Sequence, residues 1–262
     1  MTRIDKVMAD RQAAGKKAIF IYITAGAPDV RTTIEAVKRA EAAGADVIEL
    51  GLPFSDPMAD GPVIQTASVV ALKNGMTLAK ELDLVREIRK FSDIPLIGMG
   101  YINNMYHYGF EKFVEDFKAA GMDGVIIPDV PHEESGDLRR IAAAHDFVLA
   151  EFITPGTTAV RMEEICQDAS GFIYCVSNNG VTGVKKVDYS TIGAVCDTAR
   201  SYTRTPLAVG FGIGSPEAAV AAAAHADAVI VGSAVVKELL AGKLDEAAQL
   251  IADIREALDK SY

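Results

Sequence analysis

The chain has 262 residues, 50% of them hydrophobic, with a net charge of −10 and a pI near 4.9. That balance argues against a nucleic-acid or anionic-membrane surface, either of which needs a basic patch. Length and a mean hydropathy of +0.18 allow a large core, and the Ala-rich stretch 217–236 is broken by Glu217, His225 and Asp227, so it does not read as membrane-spanning.

Residues 3–13 read as an amphipathic helix. The segment that follows, "GKKAIFIYITAGA", has the basic pair and short apolar run of a secretory signal. Its basic pair comes only after Asp5 and Asp10, however, and a buried first strand is the better reading. Continuous apolar runs then recur in order: "AIFIYITAG", "DVIELG", "PLIGMG", "DGVIIPD", "FVLAEFIT", "GFIYCVS", "PLAVGFG" and "DAVIVGSA". Continuous runs fit parallel strands covered on both faces. Amphipathic segments such as "VRTTIEAVKRAEAAG" and "GFEKFVEDFKAAG" lie between them, several ending in a Gly C-cap signature. Eight strand–helix units in a chain of this length predict a closed (β/α)8 TIM barrel, as one domain over 1–262. Extra helices are expected before the first strand, within the βα loops, and at the C-terminus over about 244–258. An open doubly wound sheet is the runner-up, but "ITAGAPD" lacks the GxGxxG turn it would lead us to expect.

Chemistry in such a barrel gathers at the C-terminal ends of the strands. Those ends carry Tyr22 and Thr24, then Glu49, Tyr101, Asp129, Thr154, Tyr174, Gly210 with Gly212, and Gly232 with Ser233. "VGFGIGSPE" and "IVGSAVVKEL" each put glycine just ahead of a helix start. Two adjacent helix N-termini of this kind form a phosphate site, against the plainer reading that the glycines only turn the chain. The loop "SNNGVTGVKK" reads as a lid by its Gly180, Thr182 and Gly183, while Lys185 and Lys186 are equally well explained as solvated.

The acids carry the chemistry. Glu49 stands between Ile48 and Leu50 at a strand end, where desolvation in an apolar mouth would raise its pKa and suit it to proton transfer. Asp60 lies in a long βα loop that reaches the same mouth. Two carboxylates there can divide labour as acid/base and electrostatic anchor; a buried salt bridge for Glu49 and helix N-capping for Asp60 are the alternatives. No Lys ends a predicted strand, which disfavours a Schiff-base aldolase, and His107, His132, His145 and His225 lack metal-ligand spacing. Cys166, Cys175 and Cys196 have no CxxC spacing, so neither a zinc site nor a disulfide framework is indicated, and a reducing, cytoplasmic setting is expected.

In order along the chain, "ELGLPFSDPMADGPVIQ", "IPDVPHEE", "GVTG", "GFGI" and "VGSA" resemble the tryptophan synthase alpha chain family essentially end to end. The resemblance implies a barrel lyase that cleaves indole-3-glycerol phosphate to indole and glyceraldehyde 3-phosphate. It also implies a beta chain partner that carries pyridoxal phosphate and receives indole, in an alpha2-beta2 assembly, with no cofactor in this chain. Matched by motif, Glu49 is the general acid/base and Asp60 the acid on the indole N–H. Tyr174 lines the pocket and Thr182 belongs to the lid, while Tyr22 and Tyr101 join them as substrate contacts. Gly183, Gly212, Gly232 and Ser233 hold the phosphate. Two positions depart from the family pattern: Asn178 precedes the lid where many members have Arg, and Asn103 is followed by Asn104 rather than Pro. The second lies, with Pro53 to Pro57, in the region the family turns toward its partner. A free-standing lyase that releases indole, and an activating subunit without catalysis, are the competing functions; intact Glu49 and Asp60 argue against the latter.

Overall fold

The computed structural model describes residues 1–176 and 189–262. Its organising feature is a closed barrel of eight parallel strands in sequential order, with the last strand paired to the first. The strands are β1 (Ala18–Thr24), β2 (Val47–Gly51), β3 (Leu96–Met99), β4 (Gly124–Ile126), β5 (Val148–Ile153), β6 (Ile173–Val176), β7 (Leu207–Gly210) and β8 (Ala228–Val231). Each falls within one of the eight apolar runs, and all seven residues of β1 are buried. Their two faces differ by the period of two. Phe20, Val47, Ile97, Ala150, Ala208 and Ile230 fill the barrel, whereas Ile19, Ile21, Ile48 and Leu149 face the helical layer.

The helices before the third strand are α1 (Arg3–Ala13), α2 (Val30–Ala42), α3 (Pro62–Lys73) and α4 (Leu78–Arg89). Then come α5 (Ile102–Tyr108), α6 (Phe110–Ala120), α7 (Gly136–Ala144) and α8 (Ala159–Asp168). The last four are α9 (Tyr189–Arg200), α10 (Pro216–Ala223), α11 (Ser233–Leu240) and α12 (Leu244–Ser261). The additional helices expected in the βα loops fall after β2 and β3, the one expected at the C-terminus follows α11, and it runs three residues past its predicted end. α1 begins with a capping box formed by Thr2 and Asp5, and its buried Ile4 and Met8 close the base of the barrel against the interior side chains.

The base is also tied by three aspartates that open strands. Asp46, Asp123 and Asp227 accept the backbone N–H of Ile19, Leu96 and Leu207 on the neighbouring strands, at 2.8, 2.9 and 2.7 Å. Each is answered by arginine: Arg11 and Arg255 for Asp46, Arg3 and Arg89 for Asp123, Arg200 for Asp227. Charge at this end is thus neutralised in place. No described helix is long and apolar enough to cross a membrane.

Candidate active site

At the opposite end a cavity of about 220 Å3 opens at the mouth of the barrel. Glu49 reaches it because it shares the inward face of β2 with Val47, two residues earlier, and pairs in register with Tyr22 of β1. The aliphatic pattern thus continues through β2 until its last inward side chain, where a carboxyl replaces a hydrocarbon. Glu49 is 1% exposed, and its Oε2 has no hydrogen-bond partner among the described residues. The salt bridge considered for it does not form within that part of the chain.

Asp60 arrives from the β2–α3 loop. It does not cap α3: the cap position is Gly61, without a side-chain bond, and Pro62 opens the helix. Its Oδ2 instead accepts the Tyr101 hydroxyl at 3.1 Å, and the same Tyr101 oxygen accepts the Ala59 N–H at 3.0 Å. Tyr101 does not line the cavity. It stands behind Asp60 and fixes the loop that carries it, while Phe54 stacks on its ring at 5.2 Å. Asn104 of α5 donates to the Pro53 carbonyl at 3.3 Å, a second tie to the same loop. Asp129 likewise lies outside the cavity and accepts the Ile102 N–H at 3.0 Å.

Burial sets the electrostatics. Desolvation, and then the charge of Asp60, push Glu49 up to about 8. Asp60 is raised to about 6 by burial, held back by the Tyr101 hydrogen bond. Near neutral pH, Glu49 keeps its proton while Asp60 has lost its own: two carboxylates with their titrations pushed apart, as an acid and an anion require. Burial likewise raises Tyr22 and Tyr174, which stay neutral hydroxyls on the cavity wall.

Two glycines make room for those rings. A Cβ on Gly51 would stand 2.1 Å from the Tyr22 hydroxyl oxygen, and one on Gly210 would stand 2.3 Å from that of Tyr174. Beyond Gly210, Phe211 and Gly212 both take positive φ, 82° and 74°. Phe211 packs edge-on to Tyr174 at 6.5 Å, and α10 starts at Pro216 with Ser215 capping Ala218. On the adjacent strand, Gly232 is the N-cap of α11 and Ser233 its first residue. Gly212, Gly232 and Ser233 all line the cavity, so the turn after β7 and the first residues of α11 border one space. Thr182, Gly183, Asn178, Gly180, Lys185 and Lys186 lie outside the described residues.

Sequence reasoning missed the apolar wall. Phe152, Phe211, Ile230, Met99 and Ile64 give the cavity its hydrocarbon surface. Phe152 was within reach of the period-two count through Val148 and Ala150, but Ile64 and Phe211 reach the mouth through loop and helix geometry that no periodicity records.

A (β/α)8 barrel whose mouth holds a cavity lined by two buried acids, their titrations pushed apart, and by the glycine-containing turns after β7 and β8, belongs with the barrel enzymes. Comparison with known proteins narrows the class. The family described as tryptophan synthase alpha chain matches residues 8–261. The tryptophan synthase alpha chain of Caldanaerobacter subterraneus subsp. tengcongensis is 42% identical, covering 98% of this chain and 100% of that protein. The solved tryptophan synthase subunit alpha of Legionella pneumophila superposes with a TM-score of 0.91 at 36% identity over 99% of both chains. A chain of Mycobacterium tuberculosis tryptophan synthase gives 0.91 at 29% identity over 98% of each. This chain belongs to the tryptophan synthase alpha chain family.

Proposed function

We propose that Glu49 and Asp60 carry the reaction of this family, the lyase cleavage of indole-3-glycerol phosphate to indole and glyceraldehyde 3-phosphate. The observation that carries the assignment is the buried Glu49 carboxyl, unpartnered at Oε2 and raised to about 8 beside Asp60. Protonated Glu49 gives its proton to indole C3. The ring becomes an indolenine cation, whose positive charge is shared with the ring nitrogen, and the Asp60 carboxylate accepts the N–H hydrogen bond and stabilises that cation. The glutamate, now a carboxylate, takes the proton from the hydroxyl on the side-chain carbon attached to C3. The carbon–carbon bond breaks, its electrons restore the aromatic ring, and an aldehyde forms on the other fragment. One proton enters and one leaves, so Glu49 ends as it began.

Tyr22 and Tyr174 hold the indole between them and the apolar wall, Tyr101 acts through Asp60, Thr182 joins the substrate contacts, and Gly183, Gly212, Gly232 and Ser233 hold the phosphate. The acid pair makes the ring itself the electron sink, which is consistent with a cavity whose described lining has no lysine. The whole of 1–262 forms one barrel domain, a reading supported by the pairing of β8 with β1. Membership in the family implies a beta chain partner. The finer reading is an alpha2-beta2 assembly in the cytoplasm, with pyridoxal phosphate confined to the beta chain and indole passed to it for L-tryptophan synthesis.

The test is cleavage of indole-3-glycerol phosphate by the purified chain with and without a beta chain. Indole release that rises on mixing, with co-elution of the two chains, is the expected result. Release without stimulation or co-elution would replace the complex with a free-standing lyase.

A further inference from the structure

Tyr22 carries a hydroxyl that the barrel interior does not call for. Two residues earlier on the same face of β1, Phe20 packs with a plain ring. At Tyr22 the ring bears an oxygen and stands buried on the cavity wall. The Thr24 hydroxyl donates to that oxygen at 3.4 Å, and among the described residues the phenol gives its own proton to no acceptor. Asp60 offers the converse. Its Oδ2 accepts Tyr101 at 3.1 Å, whereas its Oδ1 accepts no bond among the described residues. The cavity thus holds a spare donor, and a spare acceptor on the acid that the proposed reaction uses as an anion.

The ring leans from one toward the other. Tyr22 pairs in register with Glu49, yet its hydroxyl oxygen lies over Gly51, two residues farther along β2, where a Cβ would stand 2.1 Å away. Gly51 ends β2 and leads into the loop that brings Asp60 back over the mouth. Burial, and then the charge of Asp60, hold the proton on the Tyr22 oxygen; Glu49, its cross-strand neighbour, counts for less, and Tyr101 also acts on it. The titratable groups facing Asp60 are therefore Tyr22 from β1, Glu49 from β2, Tyr101 ahead of α5 and Tyr174 from β6. Among the described residues no lysine, arginine or histidine lines the cavity. The Asp60 anion depends on neutral hydroxyl donors, and Tyr101 supplies only one.

We propose that Tyr22 is a positioning residue for Asp60: once an indole ring is seated, the Tyr22 hydroxyl donates to the free carboxylate oxygen, as the inner counterpart of Tyr101. The inference rests on the role given to Asp60 above. While the cavity is open, water can answer both groups. A ring seated against Tyr22 displaces that water, and the carbon edge beside the ring N–H offers no acceptor in return. A buried phenol proton without an acceptor is costly, and the nearest anion is Asp60. A carboxylate has about four lone-pair sites, enough for Tyr101, Tyr22 and the ring N–H together.

Tyr22→Phe keeps the ring and removes the donor. The full-length chain, this variant and Asp60→Asn are compared in pH profiles of indole-3-glycerol phosphate cleavage, with kcat taken from single turnovers at saturating substrate. The kcat/KM profile reports the free chain and the kcat profile the substrate complex. A donor to the carboxylate favours its charged form, so Tyr22→Phe should displace the acidic limb of kcat upward by about one pH unit. The acidic limb of kcat/KM should move much less. An unmoved kcat limb overturns the proposal, even with a raised KM, which would place the hydroxyl on the substrate instead. Equal displacement in both profiles also overturns it, because the bond would then exist without substrate. Should Asp60→Asn cleave at the parent's rate, the role of Asp60 falls and the proposal with it. A crippled Asp60→Asn beside an unmoved Tyr22→Phe limb removes the proposal alone.

Discussion

Glu49 and Asp60 differ in environment more than in chemistry. Full burial leaves Glu49 with its proton near neutral pH, and a single hydroxyl from Tyr101 keeps Asp60 ionised. Replacing Glu49 with Gln removes the proton donor while keeping the shape, and cleavage should fall by about 10²- to 10⁴-fold; a rate within a few-fold of the parent in a direct assay would remove Glu49 from the mechanism. The pair also sets the pH response. The proposed mechanism needs Asp60 ionised and Glu49 protonated, so kcat/KM should climb as pH rises through about 6 and decline as it passes about 8. These limbs belong to the interacting pair rather than to either acid alone. Tyr101→Phe deletes the hydroxyl that favours the Asp60 anion. Its expected signature is an acidic limb displaced upward, measured by the same profile, with the Glu49 limb little changed.

At the scale of elements, each strand has a structural end and a chemical end. At the base, Asp123 is 1% exposed and holds Leu96 N–H, Arg3 and Arg89 together. Asp123→Ala would strand a buried guanidinium, since the Arg89 side chain is 10% exposed, and an unpaired strand N–H. Denaturant unfolding should show a loss of about 3–5 kcal/mol, with kcat at the far end nearly unchanged in whatever protein remains folded. A large fall in kcat without a loss of stability would contradict that division of labour. At the mouth, β2 and β7 end in Gly51 and Gly210, because Tyr22 and Tyr174 lean across the positions where side chains would stand.

For the whole molecule, closure is the central fact: β8 pairs with β1, and α1 packs beneath them. Ile4 is fully buried at that base. Ile4→Ala should cost about 2–5 kcal/mol, lowering Tm by about 2–4 °C per kcal/mol for a chain of this size. Calorimetry checks it, and an unchanged Tm would show that α1 contributes nothing to holding the barrel.

The eight strands, the first helix and the C-terminal helix were legible from the sequence, because hydrophobic period and Gly, Ser and Pro punctuation are local signals; that the βα loops expected to hold further helices are those after β2 and β3 was not. The oddness of Glu49, an acid in an aliphatic slot, was legible too, as were the glycine-led helix starts at Gly212 and Gly232. The motif order went further and named the family. Only the tertiary structure decided between helix cap and anchored acid for Asp60, moved Tyr101 from the cavity wall to a place behind Asp60, brought Phe211 and Ile64 to the mouth, and buried Glu81 in the α4 stripe. Those facts depend on which side chains meet across distant segments, and on how much water is left around a carboxyl once they have met. Neither is written in any single stretch of the chain.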